Sequence, residues 1–134
     1  MNRYLLDTNM VSHLFRSHPM VKQRVLNAPM ASLCISAITE GELRFGLAKR
    51  PEAKRLQLAV REFLQRVTIL SWDSAAAERY GIVRADMERT GKTLAPLDLL
   101  IAVHALSTNA TLVTNDHSFT QIDILNVEDW TIHV

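Results

Sequence analysis

The sequence predicts a single α/β domain over residues 1–134, with a central parallel sheet of four to five short strands and helices on both of its faces. Three observations support this fold class. Short apolar runs alternate with helical patterns along the chain. A length of 134 residues suits one domain and can bury a core. The composition, 48% apolar and 22% charged, is ordinary for a globular protein.

The chain opens with a strand and a short helix. Residues 3–6 are an apolar run that predicts the first strand. Asp7, Thr8 and Asn9 follow it, and all three are residue types that cap the N-termini of helices. A short helix is therefore expected over residues 10–15.

A second strand and a longer helix come next. Another short helix is expected over residues 20–26, and the apolar run at 33–35 predicts the second strand. Ser36 is a plausible N-cap for a helix over residues 37–49. Pro51 ends this helix because the residue before a proline disfavours the helical region.

The middle of the chain predicts two amphipathic helices around a third strand. Residues 53–67 carry apolar side chains at helical spacing, and the β-branched run at 67–70 predicts the strand. Asp73 caps the next helix, and Gly91 lies at its C-terminal end, as is common for helix ends. The inward stripe of this helix is predicted to be Ala76, Tyr80, Val83 and Met87.

The last third of the chain predicts an apolar helix and the final strands. The helix is expected over residues 97–106, directly after Pro96, and the fourth strand over residues 111–114. Residues 122–127 and 130–134 are expected to supply a last strand and a tail. The alternation of strands and helices predicts parallel strand pairing throughout.

The sequence favours a cytoplasmic location. No apolar stretch reaches the roughly 20 residues that a membrane-spanning helix needs. Asn2 and Arg3 lead directly into a strand, so we expect no signal peptide and no membrane association. Cys34 is the only cysteine and is expected to be buried as a small apolar side chain, which fits a reducing compartment.

Charge is unevenly distributed along the chain. All 15 Lys and Arg residues lie in residues 1–92 with 9 acids, whereas residues 93–134 hold 5 acids and no Lys or Arg. This asymmetry indicates a surface for a polyanion beside an acidic pocket. The densest group of cations lies in the predicted helical hairpin and comprises Arg44, Lys49, Arg50, Lys54, Arg55, Arg61 and Arg66. It could contact RNA phosphates or a partner protein, or it could be a solvated helix face.

Four acids lie where strands end or where the following helices run: Asp7, Glu42, Asp98 and Asp116. Each Asp alone is equally explained as a helix cap or turn residue. In an open α/β sheet, however, strand ends and the helices after them converge on one crevice. Carboxylates gathered there repel one another unless a hard cation neutralises them. The joint pattern therefore predicts a divalent-metal site and chemistry on phosphate.

The helical acid is ambiguous from spacing alone. Glu40 and Glu42 are two residues apart, which is about 200° of rotation around a helix, so they cannot face the same way. One of them faces the crevice and the other faces solvent. Spacing does not select between them.

Small polar residues lie close to the acids in sequence: Thr8, Asn9, Ser36, Thr114 and Asn115. Hydroxyl and amide groups of this kind suit the orientation of carboxylates and metal-bound waters. No His, Cys or Lys clusters with the acids, which favours Mg²⁺ or Mn²⁺ over zinc. His104 lies in an apolar helix and is expected to pack in the core.

Four segments of the chain resemble the acidic motifs of PIN-domain ribonucleases, and more narrowly those of VapC-type toxins. They are Leu5-Leu6-Asp7-Thr8-Asn9, Ser36-Ala37-Ile38-Thr39-Glu40-Gly41-Glu42-Leu43, Pro96-Leu97-Asp98-Leu99-Leu100-Ile101-Ala102 and Leu112-Val113-Thr114-Asn115-Asp116. The resemblance covers nearly the whole chain, including Val127-Glu128-Asp129-Trp130. One departure is Ala95-Pro96, where family members often have glycine.

This resemblance implies an activity and a site. It implies metal-dependent RNA cleavage in which Asp7, Glu42, Asp98 and Asp116 hold Mg²⁺ or Mn²⁺, either directly or through water. The family's helical acid precedes a leucine, which selects Glu42 over Glu40. The expected substrate is tRNA, with initiator tRNA(fMet) as the first expectation, and the expected outcome is arrest of translation and growth.

The resemblance also implies partners. It implies a homodimer and a VapB-like antitoxin whose C-terminal segment covers the active site of the toxin. The hairpin cations Arg44, Lys49, Arg50, Lys54 and Arg55 would then contact RNA or the antitoxin.

Other functions remain open at the level of sequence. One alternative is a PIN-like domain that binds RNA without cleaving it. A haloacid-dehalogenase-like phosphatase also begins with a strand ending in Asp, but it needs a second acid where this chain has Asn9 and a later lysine, and no lysine follows Lys92. A phospho-receiver module needs adjacent acids after the first strand and the same late lysine.

Overall fold

The computed structural model describes residues 2–132, which form a five-stranded sheet and six α-helices. The strands are β1 (Tyr4–Leu6), β2 (Leu33–Ser36), β3 (Thr68–Leu70), β4 (Thr111–Val113) and β5 (Val127–Glu128). The helices are α1 (Thr8–Phe15), α2 (Pro19–Asn27), α3 (Ala37–Lys49), α4 (Lys54–Arg66), α5 (Ser74–Arg89) and α6 (Pro96–Ser107). The predicted α/β class is confirmed.

All strand pairs are parallel, and the sheet order is β3-β2-β1-β4-β5. The chain leaves β1 towards β2 on one side, whereas it leaves β4 towards β5 on the other. Such a reversal opens a crevice beyond the carboxyl ends of the two strands. In the register of this pair, Leu6 lies beside Val113, so the residues that follow them begin the crevice walls.

Strand side chains alternate between two cores, because successive residues of a strand point to opposite faces. Leu5 and Leu112 pack with residues of α5 and α6 on one face. Leu6 and Val113 pack with residues of α1 to α4 on the other. Strands covered on both faces are apolar throughout, which explains the short continuous apolar runs of the sequence.

Several helix ends differ from the sequence prediction. Helix α1 begins at Thr8 rather than at residue 10, because the Asp7 carboxylate caps it by accepting the backbone N–H of Met10. Helix α6 begins at Pro96 and has Ala95 at its N-cap position, so Asp98 lies in the first turn. Two short 3-10 helices, Met30–Ser32 and His117–Gln121, were not predicted.

The prediction of a last strand over residues 122–127 is wrong except at its end. Strand β5 is only Val127–Glu128. The apolar side chains Ile122 and Leu125 instead enter the core from a turn that follows the second 3-10 helix. Their spacing of three residues, rather than two, is the signal against a strand.

The chain after β5 packs under the sheet edge. Trp130 is 1% exposed and lies against Tyr4. Glu128 Oε1 accepts hydrogen bonds from the Trp130 indole N–H (3.0 Å) and from Arg24 of α2 (3.1 Å). The Arg24 guanidinium also lies over the indole ring, 5.0 Å from its centroid. Of the tail predicted over 130–134, residues 133 and 134 lie outside the described residues.

Two further predictions concerned Cys34 and membrane-spanning helices. Cys34 is buried in β2, as expected, and burial raises the pKa of its thiol to about 11. No helix within residues 2–132 has both the length and the apolarity to cross a bilayer.

Candidate active site

Asp7 stands at the centre of the crevice, directly after β1. Its backbone N–H donates to the Val113 carbonyl of β4 (3.1 Å), and its Oδ1 accepts the N–H of Met10 (2.8 Å). Its side chain is buried, with the residue only 4% exposed. Burial is therefore the largest influence on this carboxyl, and it raises the pKa of Asp7 to about 6.

The end of β4 supplies a second acid and a supporting hydroxyl. The backbone N–H of Asp116 donates to Thr114 Oγ1 (3.0 Å), which fixes the turn after the strand. The Asp116 carboxylate accepts the N–H of Ser118 (2.9 Å) and so caps the 3-10 helix. The hydrogen bonds from Ser118 lower the pKa of Asp116, whereas a hydrogen bond from Thr114 partly offsets the rise at Asp7.

Helix α3 turns its two acids in different directions. Thr8 Oγ1 donates to Glu42 Oε1 (2.5 Å), so Glu42 lies against the start of α1. Glu40 instead forms an ion pair with Arg44 on the exposed side of the helix (2.9 Å). Thr39 is fully buried within hydrogen-bonding distance of the Thr8 hydroxyl (3.3 Å).

Asp98 enters the crevice from the first turn of α6. Burial raises the pKa of its carboxyl, and the negative charges of Asp116 and Glu42 raise it further. The charges of Asp98 and Asp116 likewise add to the rise at Asp7. The four predicted acids, carried by four separate segments of the chain, therefore act on one another through space, and their mutual repulsion is the main electrostatic property of the crevice.

The supporting residues predicted from sequence divide into two groups. Thr8 and Thr114 interact with the acids, as described above. Ser36 does not: its hydroxyl accepts the N–H of Ile38 at the start of α3 (3.1 Å) and contacts His104 (2.8 Å). Asn9 and Asn115 are exposed, and neither side chain forms a hydrogen bond to an acid within residues 2–132.

Sequence reasoning missed two contributors to the site. Thr39 lies three residues before Glu42 and therefore on the same helix face, a spacing that could have identified it. Ser118 donates its backbone N–H to Asp116 from the short 3-10 helix, and a backbone donor carries no residue-type signal in the sequence.

The donor chemistry of the crevice fits a hard divalent cation. All four acids offer carboxylate oxygens, the ligands that Mg²⁺ prefers. As they are placed, no three His, Cys, Asp or Glu side chains of residues 2–132 form a group that could hold a metal ion. Mg²⁺ commonly uses only one or two protein carboxylates and keeps several waters, so a pair of these acids is sufficient.

A groove of about 450 Å³ extends from the crevice between α1, α3 and α4. Thr8 and Glu42 lie at one end, and the cations Arg16, Lys49 and Arg50 lie along its walls. A second cleft of about 570 Å³, on the other side of α3 and α4, includes Arg44 and Lys54 in its lining.

The hairpin cations thus fall into different surroundings. Lys49 and Arg50 line the groove that reaches Glu42, whereas Arg44 and Lys54 line only the second cleft. Arg55 is exposed and lines neither of them.

Comparisons with known proteins show which family the chain resembles over most of its length. The PIN domain family model matches residues 4–125. The tRNA(fMet)-specific endonuclease VapC of Shigella flexneri is 33% identical over 132 residues, covering 98% of this chain and 100% of that protein. Ribonuclease VapC2 of Rickettsia felis is 35% identical over 130 residues, covering 95% of this chain and 97% of that protein.

A solved structure, the DNA-bound VapBC of Salmonella typhimurium, matches with a TM-score of 0.88 and 34% identity over 97% of this chain and 99% of that chain. The similarity therefore extends over all the segments that carry the acids.

Proposed function

The chain belongs to the PIN-domain family, among its VapC-type ribonucleases, and from this premise we propose that it is a Mg²⁺-dependent endoribonuclease toxin of a toxin–antitoxin pair. The observation that carries the proposal is the crevice, where Asp7, Glu42, Asp98 and Asp116 converge from four segments and repel one another. A mutually repelling set of carboxylates around the buried Asp7 is costly unless it serves to bind a cation.

The proposed roles follow from the position of each acid. Asp7 and Asp98 are the direct ligands, since both are held in the crevice by secondary structure and both have raised pKa values. Glu42, oriented by Thr8, completes the site. Asp116, already bound to the N–H of Ser118, acts through a water molecule. When bound, Mg²⁺ or Mn²⁺ supplies an activated water and offsets charge on the scissile phosphate.

RNA needs cations beyond the metal, because its phosphate backbone supplies much of the binding energy. We assign this role first to Lys49 and Arg50, which line the groove leading from Glu42. We propose that RNA farther from the crevice, or the antitoxin, is contacted by Arg44, Lys54 and Arg55. Transfer RNA, and initiator tRNA first, is the proposed substrate because two relatives of this length bear the name tRNA(fMet)-specific endonuclease.

The proposed partners follow from the structural relatives. Toxins of similar fold occur in VapBC assemblies from Rickettsia felis and Salmonella typhimurium. We propose a VapB-like antitoxin that covers the crevice, a homodimeric toxin and a cytoplasmic location. Cleavage of initiator tRNA would then arrest translation and growth.

The test is cleavage of purified total tRNA with sequencing of the new 5′ ends. Wild-type protein with Mg²⁺ is expected to cut a discrete tRNA site, and EDTA or the Asp7→Asn variant is expected to abolish the cut. Glu40→Gln serves as the matched control, since it removes an acid from the same helix outside the crevice.

Each rival function gives a different result in this test. Binding of tRNA without Mg²⁺-dependent cleavage would favour a binding domain. Release of phosphate from p-nitrophenyl phosphate, with intact tRNA, would favour a phosphatase.

A further inference from the structure

A buried polar contact joins the two helices that carry Glu42 and Asp98. His104 of α6 is 1% exposed, and its Nδ1 lies 2.8 Å from Oγ of Ser36. Ser36 is the last residue of β2 and the N-cap of α3, where its Oγ accepts the backbone N–H of Ile38 (3.1 Å). One side-chain pair therefore ties the middle of α6 to the start of α3.

The contact between Ser36 and His104 can form with either tautomer of the imidazole. Ser36 Oγ already accepts the N–H of Ile38, so its own O–H can donate to Nδ1 of His104. In either tautomer Nε2 of His104 is buried and has no hydrogen-bond partner within residues 2–132. Burial lowers the pKa of His104, and the Ser71 backbone and the negative charge of Asp73 oppose that shift only in part. Burial therefore favours the neutral form of the ring.

At a position that only filled space, an imidazole would be less stabilising than an apolar side chain. A buried polar atom without a partner destabilises the folded state, and an apolar ring of similar size would carry no such cost. What His104 adds beyond packing is a directional contact with Ser36. A directional contact fixes the separation of two elements more closely than apolar packing does.

The contact lies the same number of residues along its helix from each acid. Glu42 is six residues after Ser36 along α3, and Asp98 is six residues before His104 along α6, which is about 9 Å of helix rise in each case. Because helices are stiff over such lengths, the separation of the two carboxylates follows the separation of Ser36 and His104.

We propose that His104 is a positioning residue, whose hydrogen bond to Ser36 sets the separation of Glu42 and Asp98 and thereby the affinity of the crevice for its divalent ion. The identity of that ion site rests on the proposed function. His104 itself touches neither acid and takes no part in the chemistry.

The test measures Mn²⁺ binding directly, by the loss of the free Mn²⁺ signal in electron paramagnetic resonance, beside tRNA cleavage. His104→Phe keeps the ring and removes both nitrogens. We expect its Mn²⁺ dissociation constant to rise roughly 10-fold, as is typical when groups behind metal ligands are removed, while KM for tRNA stays within about twofold. His104→Asn retains a polar atom at the Nδ1 position and should restore most of the affinity.

Two comparisons separate positioning from a general loss of stability. Ile101→Val trims a buried side chain of the same helix, and we expect it to lower the unfolding temperature without changing the Mn²⁺ dissociation constant. In a double-mutant cycle, Ser36→Ala combined with His104→Phe should weaken Mn²⁺ binding no more than the stronger single change.

The proposal is overturned if His104→Phe binds Mn²⁺ as tightly as wild type, if Ile101→Val weakens binding equally, or if the effects of the two single changes multiply. A wild-type protein that binds Mn²⁺ but cleaves no RNA would refute the proposed ribonuclease function. In that case the Mn²⁺ titrations would still decide whether His104 positions the acids.

Discussion

The hydroxyl of Thr8 donates to the carboxylate of Glu42 across 2.5 Å, and so joins the helix after β1 to the helix after β2. The contact gives Glu42 a fixed orientation although it lies in the interior of a helix, where its side chain could otherwise turn to solvent. It also places an acid from α3 beside the segment that begins with Asp7.

Removing this hydroxyl tests the orientation of Glu42. We expect Thr8→Val, which keeps the shape of the side chain, to lower the rate of RNA cleavage roughly 10- to 100-fold because the carboxylate is no longer oriented. Thr8→Ser keeps the hydroxyl and should retain most of the activity. Equal rates for Thr8→Val and wild type in single-turnover assays would contradict the role of the contact.

The two acids of α3 provide an internal comparison. Glu42→Gln should reduce cleavage by roughly 100-fold or more, because it removes a charge from the proposed cation site. Glu40→Gln breaks only an exposed ion pair with Arg44, and such pairs contribute at most about 1 kcal/mol, so we expect activity within about twofold of wild type. The reverse pattern would mean that the other face of α3 forms the site.

The burial of Asp7 predicts a pH-dependent stability. Its folded-state pKa of about 6 is above the value of 3.8 expected in an unfolded chain. The contribution of the protonated Asp7 carboxyl to the unfolding free energy is thus fully present below pH 3.8 and is lost as the pH rises through 6.

Asparagine at position 7 stays neutral and can still cap α1. The stability advantage of the Asp7→Asn variant over wild type should therefore grow as the pH rises from 4 to 6. At pH 7 in metal-free buffer it should be on the order of 2–3 kcal/mol in unfolding free energy. Urea unfolding across this range provides the measurement. Mg²⁺ should reduce the difference in unfolding free energy between the two proteins at pH 7. A difference that does not change with pH would contradict a raised pKa of Asp7.

The groove cations should affect binding more than catalysis. We expect the double variant Lys49→Glu, Arg50→Glu to raise KM for tRNA and to reduce the dependence of log KM on log salt by about 1 to 2, with little change in kcat. Lys22→Glu with Arg89→Glu carries the same change of charge elsewhere and is the control. A similar salt dependence in both double variants would show that only net charge matters.

The C-terminal segment is expected to be structural. Trp130→Ala removes a fully buried indole and its hydrogen bond to Glu128, so we expect a loss of about 3–5 kcal/mol in unfolding free energy. Chemical denaturation gives this value directly. Arg24→Met should cost much less, since the half-buried guanidinium contributes one ion pair and a contact with the ring. Similar losses of unfolding free energy in the two variants would contradict a larger role for the indole than for the guanidinium.

The sequence was sufficient to predict a parallel sheet and the convergence of the acids, but not the order of the strands. Apolar runs with no polar alternation predicted strands covered on both faces, and the acids at 7, 98 and 116 followed from the rule that strand ends and helix starts meet in a crevice. Glu42 could be selected over Glu40 only through resemblance, because both are compatible with a helix and neither is fully exposed.

Contacts between distant segments were not accessible from the sequence. Ser36 was predicted to support the acids from its position in sequence, whereas its contact with His104, which is 68 residues away, could not be predicted. The last strand was placed too early because apolar residues that enter the core from a turn resemble a short strand when only composition is read. In both cases tertiary packing, rather than local pattern, decides the structure.

The order of strands in the sheet has a consequence for the cell that makes this protein. Strand β4 lies beside β1 in the middle of the sheet, yet it is synthesised after β2 and β3, and Asp116 follows it. A nascent chain still attached to the ribosome lacks both the neighbour of β1 and one acid until residue 116 has left the exit tunnel. Under the proposed function, a nascent chain would therefore lack the complete cleavage site until β4 and Asp116 have joined the sheet.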